Sequence, residues 1–287
     1  MDWSSFSIGN AAGFVKGPGL EFDDLLRSAV TDITVGSLTL AQRDGNPGIV
    51  YYLEEDGTSI NSLGLPNPGA DATEDTIEVM ANQARRADKR LRISIAGFSV
   101  EEYVELAERL GPYGHIEVNL GCPNVWGGGG QKPIASFDLH LMGAILSKVA
   151  GFTNDGFDVK VSPYSDPGMI PQVANTFLKY PVRHVVSCNT FPNGLAIKDG
   201  KRAIDIEYGG VAGNALHLIA LGQVAQFAKA LADSDTKVIG VGGIDSGTRL
   251  LAMRVAGASG AQIGTAFGER KAKVFSEVLE EVVPLAA

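Results

Sequence analysis

Short apolar segments alternate with helical segments along nearly the whole chain, and this repetition constrains the fold more than any other feature. The apolar residues of each short segment either alternate or run unbroken, and both patterns are typical of buried strands. Eight such segments are expected, each followed by a helical pattern, at a spacing of roughly 36 residues. The repetition predicts an α/β fold with parallel strands, namely a (β/α)8 TIM barrel that forms a single domain over residues 1–287.

The same pattern bounds the predicted elements. Strands are expected at 10–14, 33–40, 91–96, 116–120, 158–161, 182–188, 238–241 and 261–264. Helices are expected at 20–30, 73–90, 100–110, 136–149, 170–178, 215–231, 246–255 and 269–283. Two long segments, 43–69 and 191–208, interrupt the repeat, and 51–53 with 59–61 could form a hairpin there. A doubly wound open sheet is the alternative, but it would place polar residues at the ends of only a few strands.

Composition limits the classes of function that the chain could serve. The formal net charge is −9, which argues against a nucleic-acid partner because a phosphate backbone requires a basic surface. There is no run of eighteen apolar residues for a membrane span, and the start at 1–4 lacks the features of a signal peptide. The two cysteines form no disulfide framework and fit a reducing compartment. A cytoplasmic location without membrane attachment is therefore expected.

The predicted strand ends carry a distinct set of chemical groups. In a barrel, the reactive groups lie at the C-terminal ends of the strands. Here those ends hold a thiol, lysines, carboxamides and glycine pairs, but no carboxylate or histidine cluster with the spacing of a metal site. The histidines at 115, 140, 184 and 217 are scattered at element starts and are expected to be structural. The groups at the strand ends are Lys16, Ser37, Asn119, Cys122, Lys160, Asn189, Thr190, Gly242, Gly243, Gly264 and Thr265.

The most informative strand end reads H-I-E-V-N-L-G-C-P-N at 115–124. Cys122 could be a small apolar residue of the core, which is the usual role of a lone buried cysteine. However, Asn119 and Asn124 flank the thiol, and carboxamides need hydrogen-bond partners that a core does not offer. A pocket for a planar, hydrogen-bonding ligand would use all three groups. The glycines at 127–130 predict a mobile loop after the thiol.

Two further features indicate an anionic ligand. Gly242 and Gly243 follow the seventh predicted strand, and Gly264 with Thr265 follows the eighth. Glycine-rich strand ends at this place are the commonest phosphate site of the architecture, although turns need glycine too. Lys160 lies within an otherwise apolar strand, where it could extend to the rim or hold an anion. Together these features favour a phosphorylated cofactor or substrate.

At this point the motifs resemble those of the dihydroorotate dehydrogenase family, whose members are FMN-containing (β/α)8 barrels. The resemblance runs along nearly the whole chain and keeps the family's order. It includes A-A-G-F-V-K at 11–16, G-N-P at 45–47, I-N-S-L-G-L-P-N at 60–67, N-L-G-C-P-N at 119–124, V-K-V-S-P-Y at 159–164, N-T at 189–190, G-G-V-A-G at 209–213, G-V-G-G-I at 240–244 and Q-I-G-T-A at 262–266.

The resemblance implies a role for individual residues. Cys122 corresponds to the cysteine base of class 1 enzymes, where class 2 enzymes carry serine. The residues implied to hold dihydroorotate or orotate are Lys16, Asn61, Leu63, Gly64, Leu65, Asn119, Asn124, Asn189 and Thr190. Those implied to bind FMN are Ala12, Gly13, Lys16, Gly36, Ser37, Asn119, Lys160, Cys188, Gly213, Gly242, Gly243, Gly264 and Thr265. Lys160 would lie beside the N1–C2 edge of the flavin, and the last five residues around its ribityl chain and phosphate.

The chain also departs from the class 1 pattern. Gly36 stands where class 1 enzymes usually carry a lysine, while Lys16 after the first strand is a class 2 feature, and the segment 125–131 differs from the shorter class 1 form. The amino-terminal helical domain by which class 2 enzymes meet membrane quinones is not expected. The electron acceptor is therefore open between fumarate, as in class 1A homodimers, and a separate electron-transfer subunit, as in class 1B; no nicotinamide site is evident. The partners that the resemblance implies are the small-molecule substrate, dihydroorotate or orotate, and a second copy of the chain in a homodimer.

The expected mechanism pairs a base with a flavin. Oxidation of dihydroorotate removes a proton from C5 to Cys122 and a hydride from C6 to flavin N5, and an ordinary thiol is a slow base at neutral pH. Three alternatives remain: dihydropyrimidine dehydrogenase chemistry on uracil or thymine, where the family usually has His in place of Asn124; reduction of tRNA uridines, which the acidic charge disfavours; and a non-catalytic flavin- or phosphate-binding barrel.

Overall fold

The strands close into a barrel. The computed structural model describes residues 3, 5–124, 126–127, 130–131, 133–153 and 155–285. Within these residues eight parallel strands form the barrel, and β1 pairs with both β2 and β8, which closes it and excludes the open sheet. The strands are β1 Ser7–Asn10, β2 Asp32–Leu38, β3 Arg90–Ile95, β4 His115–Asn119, β5 Phe157–Val161, β6 Val182–Ser187, β7 Lys237–Val241 and β8 Gly260–Ile263.

Helices follow each barrel strand and cover its outer face. They are α1 Leu20–Arg27, α2 Gly69–Arg86, α3 Val100–Leu110, α4 Leu139–Val149, α5 Met169–Phe177, α6 His217–Ala230, α7 Gly247–Val255, α8 Thr265–Arg270 and α9 Lys273–Leu285. Three short 3-10 turns lie at Ala135–Phe137, Ala150–Phe152 and Asn214–Leu216. No helix in the described ranges qualifies as a candidate membrane span.

Strand alternation separates an apolar shell from a polar barrel interior. Ile116 and Val118 of β4 are buried in the main hydrophobic cluster, which also contains residues of the helices. Glu117, the residue between them, instead bonds across the barrel to Gln262 of β8. The core that stabilises the fold therefore lies between strands and helices, since apolar burial there removes the most surface from water.

Two predicted boundaries were wrong. The first strand ends at Asn10, not Phe14, so that 11–16 forms a loop at the mouth of the barrel. The predicted last helix is two helices, because Lys271 has a φ of 53°, in the left-handed region where a helix cannot continue. The other predicted strands and helices are present with ends shifted by a few residues.

The two long insertions pack together above the barrel. Tyr51–Leu53 and Thr58–Asn61 form the predicted hairpin, and Gly209–Gly213 joins it antiparallel to Thr58–Asn61, with Phe191–Gly194 beyond. Ser59 and Thr265 share a hydrogen bond of 2.9 Å, which ties this sheet to the end of β8. Two further pairs of two-residue strands are Trp126–Gly127 with Gly130–Gln131 and Ile197–Lys198 with Lys201–Arg202.

Candidate active site

A cavity of about 480 Å³ lies at the C-terminal end of the barrel, beneath the four-stranded sheet. This is a volume typical of a site for a small molecule or cofactor. Because all eight strands are parallel, their C-terminal ends meet here, and the loops that follow them supply the walls. The predicted site residues that line it are Ala12, Gly13, Lys16, Ser37, Asn61, Leu63, Gly64, Leu65, Asn119, Cys122, Asn124, Lys160, Cys188, Asn189, Thr190, Gly213, Gly242, Gly243, Gly264 and Thr265.

Gly36 is the one predicted site residue outside the lining. Its N–H donates to the Val15 carbonyl, and its own carbonyl accepts from the N–H of Gly13. A Cβ at this position would lie 2.3 Å from the Ser94 carbonyl oxygen. Gly36 thus allows close packing behind the cavity wall, and its role as a cofactor-binding residue stays a prediction.

The sequence analysis missed part of the lining. Phe14 at the mouth and Tyr51, Leu53 and Ser59 of the hairpin line the cavity, as do residues of the last helical segment. The sequence predicted the hairpin, but it did not indicate that the hairpin packs over the barrel mouth. The additional lining residues include Ala11, Pro66, Pro123, Ala212, Leu216, Val241, Gly268, Glu269 and Lys271.

The thiol of Cys122 lies between two spaces. Cys122 lines the main cavity and a smaller cavity of about 110 Å³ behind it, which Tyr103 and Leu65 also line. Burial raises the pKa of this thiol, while the N–H of Asn124 and the positive charges of Lys16 and other cations partly oppose the rise. A thiol in this position is accessible to a ligand yet mostly protonated at neutral pH.

Carboxamide side chains form a connected wall beside the thiol. Asn119 donates from Nδ2 to Ser37 Oγ at 2.8 Å, and its Oδ1 accepts from Asn189 Nδ2 at 3.1 Å. Asn124 donates from Nδ2 to Asn61 Oδ1 at 2.8 Å. These bonds fix the orientation of each carboxamide, so a planar ligand meets a preset pattern of donors and acceptors.

Two polar atoms of this wall are unpaired. Asn124 Oδ1 and Thr190 Oγ1 are buried and have no hydrogen-bond partner among the described residues, although both residues line the cavity. A buried polar atom without a partner costs free energy. A ligand that brings N–H or carbonyl groups to this wall would remove that cost, and the pair therefore indicates a polar ligand.

Lys16 lies in the loop after β1 and lines the same cavity as the thiol. Its Nζ donates to the Ser37 carbonyl at 3.4 Å. Burial lowers the pKa of Lys16 to about 8, while the neighbouring Cys122 thiolate would raise it and Lys160 lowers it further. The ammonium is charged at neutral pH and loses its charge under mildly alkaline conditions.

Backbone rather than side chains forms the far end of the cavity. Gly213, Gly242 and Gly243 have φ values of 69°, 127° and 65°, a region that favours glycine. The helix after the glycine pair begins only at Gly247, so the pair lies in a loop and not at the helix start. This end can approach a ligand closely through its main chain.

Lys160 enters the cavity floor from the polar barrel interior. Its Nζ lies 3.5 Å from Gln262 Oε1 and 4.0 Å from Glu117 Oε1, and Gln262 Nε2 donates to Glu117 Oε2 at 2.7 Å. Lys160, Gln262 and Glu117 are 4%, 2% and 0% exposed. The lysine is therefore held by groups that come from two other strands.

The opposite end of the barrel holds a cluster that the sequence did not reveal. His115 and His184, which were expected to be structural, both hydrogen-bond to Asp158 Oδ1, at 2.8 and 2.7 Å, and the polar atoms of the three side chains lie within 4.8 Å of one another. Arg92 also pairs with Asp158, and with Asp32 at 3.1 Å. The guanidinium supplies the positive charge that the carboxylates need, which accounts for the cluster as structural.

A family comparison bears on the function of this cavity. The family model described as dihydroorotate dehydrogenase matches residues 5–285. The chain belongs to the dihydroorotate dehydrogenase family. Membership accounts for the order of the motifs, since one model spans all the strand ends that line the cavity.

Named relatives of this family cover most of the chain. A dihydroorotate dehydrogenase (fumarate) of Kluyveromyces lactis is 34% identical over 284 residues, which is 96% of this chain and 88% of the relative. A dihydroorotate dehydrogenase (fumarate) of Saccharomyces cerevisiae is 33% identical over 281 residues, with 95% and 87% covered. The similarity therefore includes both the barrel and its insertions.

A solved structure of a family member shares the fold. The crystal structure of dihydroorotate dehydrogenase from Eimeria tenella in complex with ferulenol superposes with a TM-score of 0.83 at 19% identity, covering 97% of this chain and 81% of that one. At this identity the likeness establishes the barrel alone. The mobile loop predicted from the glycines at 127–130 includes residues 128 and 129, which lie outside the described residues.

Proposed function

We propose that this protein oxidises dihydroorotate to orotate in pyrimidine biosynthesis, with FMN as its cofactor and Cys122 as its base. The observation that carries the proposal is the cavity wall where the Cys122 thiol stands beside carboxamides with two unpaired polar atoms. In a chain of the dihydroorotate dehydrogenase family, a planar pyrimidine is the ligand that matches this wall.

The residues present are compatible with FMN. The glycine end offers main chain and space for a ribityl phosphate, with Gly213, Gly242 and Gly243 in conformations that a side chain would strain. At the cavity floor, Lys160 would hold the ring edge that gains negative charge. Bound FMN supplies a hydride acceptor, which none of the twenty side chains can provide.

The carboxamides and Thr190 would hold and orient the pyrimidine ring. Asn124 Oδ1 can accept from a ring N–H, and the Thr190 hydroxyl can either donate or accept. A site built from such groups rejects analogues that leave them unpaired. Lys16, whose ammonium is charged at neutral pH, is the group suited to the substrate carboxylate.

Cys122 would take the proton from C5 of the ring. The pKa of this thiol is raised by burial, so only a small fraction is thiolate at neutral pH, and that fraction grows as the pH rises. The nearby ammonium of Lys16 stabilises the thiolate. Turnover should therefore increase from pH 6 towards pH 8, and a flat profile across this range would argue against a cysteine base.

Fumarate is the proposed electron acceptor, because relatives that match most of this chain carry the name dihydroorotate dehydrogenase (fumarate). Nothing in the described cavity lining distinguishes fumarate from a partner subunit. The homodimer expected from the class 1A resemblance stays a prediction, which light scattering of the purified protein would test.

The function is tested by anaerobic mixing of the purified, FMN-loaded protein with candidate substrates. Dihydroorotate is expected to bleach the flavin, and fumarate to restore its colour. Bleaching by dihydrouracil instead would favour the dihydropyrimidine reading. A yellow protein that neither compound bleaches would mean a binding barrel without this activity, and a protein that does not take up FMN would overturn the proposal.

A further inference from the structure

Lys160 is an ammonium group in surroundings that do not suit a charge. It is 4% exposed, and its register neighbour on β6, Val186, belongs to a buried apolar cluster with Ala11, Ile239 and Val241. An ammonium in such surroundings loses its proton readily unless an opposite charge holds it. The question is what keeps Lys160 charged and directed at the cavity.

Glu117 is the counter-charge that the barrel provides. Its carboxylate comes from β4, is fully buried, and forms the one ion pair of Lys160 among the described residues, at 4.0 Å. Gln262 of β8 bonds to both groups, donating to Glu117 at 2.7 Å and accepting from Lys160 at 3.5 Å. The three side chains thus form a triangle across the barrel, although they are far apart in sequence.

The other charged or titratable groups near Lys160 do not replace Glu117. Lys16, from the loop after β1, carries the same charge and opposes a second ammonium. Cys122 and Cys188 face it from the loop after β4 and the end of β6, and both thiols have raised pKa values, so neither supplies a negative charge at neutral pH. Arg92 of β3 lies near Glu117 and competes for its charge.

We propose that Glu117 is a positioning residue for the reaction: with Gln262 as the bridge, it keeps Lys160 charged and fixed where the flavin ring lies. The inference rests on the proposed binding of FMN beside Lys160. Its consequence is that the ease of flavin reduction depends on a carboxylate that does not contact flavin or substrate, because a positive charge at the ring edge stabilises the reduced, more negative ring.

The test measures the midpoint potential of bound FMN from pH 6 to pH 9 in wild type and in Glu117→Gln, which keeps the size and the hydrogen bond but removes the charge. In the variant, the buried Lys160 has no counter-charge among the described residues, so its stabilisation of the reduced flavin should weaken as the pH rises. The midpoint potential should then fall below that of wild type, by up to a tenfold change in the two-electron equilibrium, about 30 mV, per pH unit. Parallel curves for the two proteins would overturn the proposal.

Asp32→Asn is the matched control. Asp32 is also a buried barrel carboxylate, 4% exposed, but it pairs with Arg92 and Arg90 at the other end. This variant tests whether loss of any buried carboxylate changes the midpoint potential of the bound flavin. Its potential is expected to follow wild type at every pH, and a curve like that of Glu117→Gln would refute a specific role for Glu117.

A second measurement needs no flavin, so it tests the positioning role of Glu117 separately from the proposed function. In the apo protein, Lys160→Met should restore most of the thermal stability that Glu117→Gln removes, because the double variant leaves no unpaired buried charge. If Glu117→Gln does not fold, recovery of folded double variant supports the pairing. The pairing of Glu117 with Lys160 is contradicted if the double variant loses as much thermal stability as the two single variants lose together, or if it does not fold. Failure of wild type to bind FMN would refute only the proposed function.

Discussion

At the scale of single residues, the site is governed by how burial changes acid–base groups. Burial raises the pKa of the Cys122 thiol and lowers that of Lys16 to about 8, and each charged form favours the other. The pair therefore acts as a unit in which the ammonium of Lys16 increases the thiolate fraction of Cys122. This coupling makes the thiolate fraction of Cys122 dependent on a residue from another loop.

The coupling predicts that Lys16→Met raises the pKa of Cys122 further. Alkylation of Cys122 by iodoacetamide, followed by mass spectrometry, should become about three- to tenfold slower at pH 7.5, because the thiolate is the reacting species. Above pH 8 the difference should narrow, since Lys16 loses its own charge there. Lys271→Met is the control, because that cavity lysine is paired with Glu21 at 3.6 Å. Equal rates in wild type and Lys16→Met would exclude the coupling.

The unpaired hydroxyl of Thr190 gives a second prediction at this scale. Thr190→Val replaces a buried hydroxyl that has no partner in the described structure, so thermal stability should not fall. The affinity for orotate should fall by about tenfold if the hydroxyl bonds the ligand, as measured by flavin absorbance titration. Thr39→Val is the reverse control, because Thr39 lies outside the cavity lining and its Oγ1 donates to the Ala41 carbonyl at 2.6 Å. This variant should lose thermal stability and keep its affinity for orotate. Unchanged orotate affinity in Thr190→Val would remove Thr190 from the substrate site.

At the scale of elements, loops carry the site and the barrel positions them. Residues 10–14 were predicted as a strand because they are mostly apolar, yet the segment 11–16 forms the cavity mouth, so its apolar residues serve the cavity. The hairpin at 51–61 was predicted, but its packing above the barrel depends on pairing with Gly209–Gly213, some 150 residues later. Local periodicity reports the elements and cannot report such distant pairing.

Glycines of two kinds allow a matched test at this scale. Gly213 has a φ of 69°, and a Cβ there would lie 2.0 Å from the Gly57 carbonyl oxygen. Gly222, within α6, is exposed and has open space around it. Gly213→Ala should weaken FMN binding at least tenfold and lower stability, whereas Gly222→Ala should raise the free energy of unfolding by about 0.5–1 kcal/mol. Fluorescence titration with FMN and urea unfolding test both. Wild-type FMN affinity in Gly213→Ala would contradict the proposed glycine end.

At the scale of the whole molecule, a column of polar side chains runs through the barrel interior from the cavity towards the opposite end. Lys160, Glu117 and Gln262 lie near the cavity, and Arg92 connects towards Asp158 and the histidines at the opposite end. The sequence predicted the barrel and most of the cavity lining, because strand ends are local features. It did not predict the column, since its members come from five different strands and meet only when the barrel closes.

The histidine end of the column predicts how stability depends on pH. Burial and the charge of Arg92 lower the pKa of His115 and His184 to about 3, so both are neutral in the fold and protonate in the unfolded chain below about pH 6.5. The stability that the two neutral histidines contribute is therefore fully present above pH 6.5 and is lost as the pH falls towards 3. From pH 7 to pH 5 the free energy of unfolding, measured with urea, should fall by about 1–2 kcal/mol per histidine. A His115→Gln/His184→Gln variant should lose this slope and an exposed His140→Gln control should keep it; an unchanged slope in the double variant would contradict the account.

The most direct test of the central claim is anaerobic stopped-flow reduction of FMN-loaded Cys122→Ala by dihydroorotate. A positioned general base contributes on the order of 10²- to 10⁴-fold, so flavin bleaching should slow by that factor while FMN and orotate still bind. Cys188→Ala removes the other thiol of the cavity lining, and bleaching of its FMN-loaded form should slow far less than that of Cys122→Ala. Rapid, wild-type bleaching of Cys122→Ala would show that the thiol at the cavity wall is not the base.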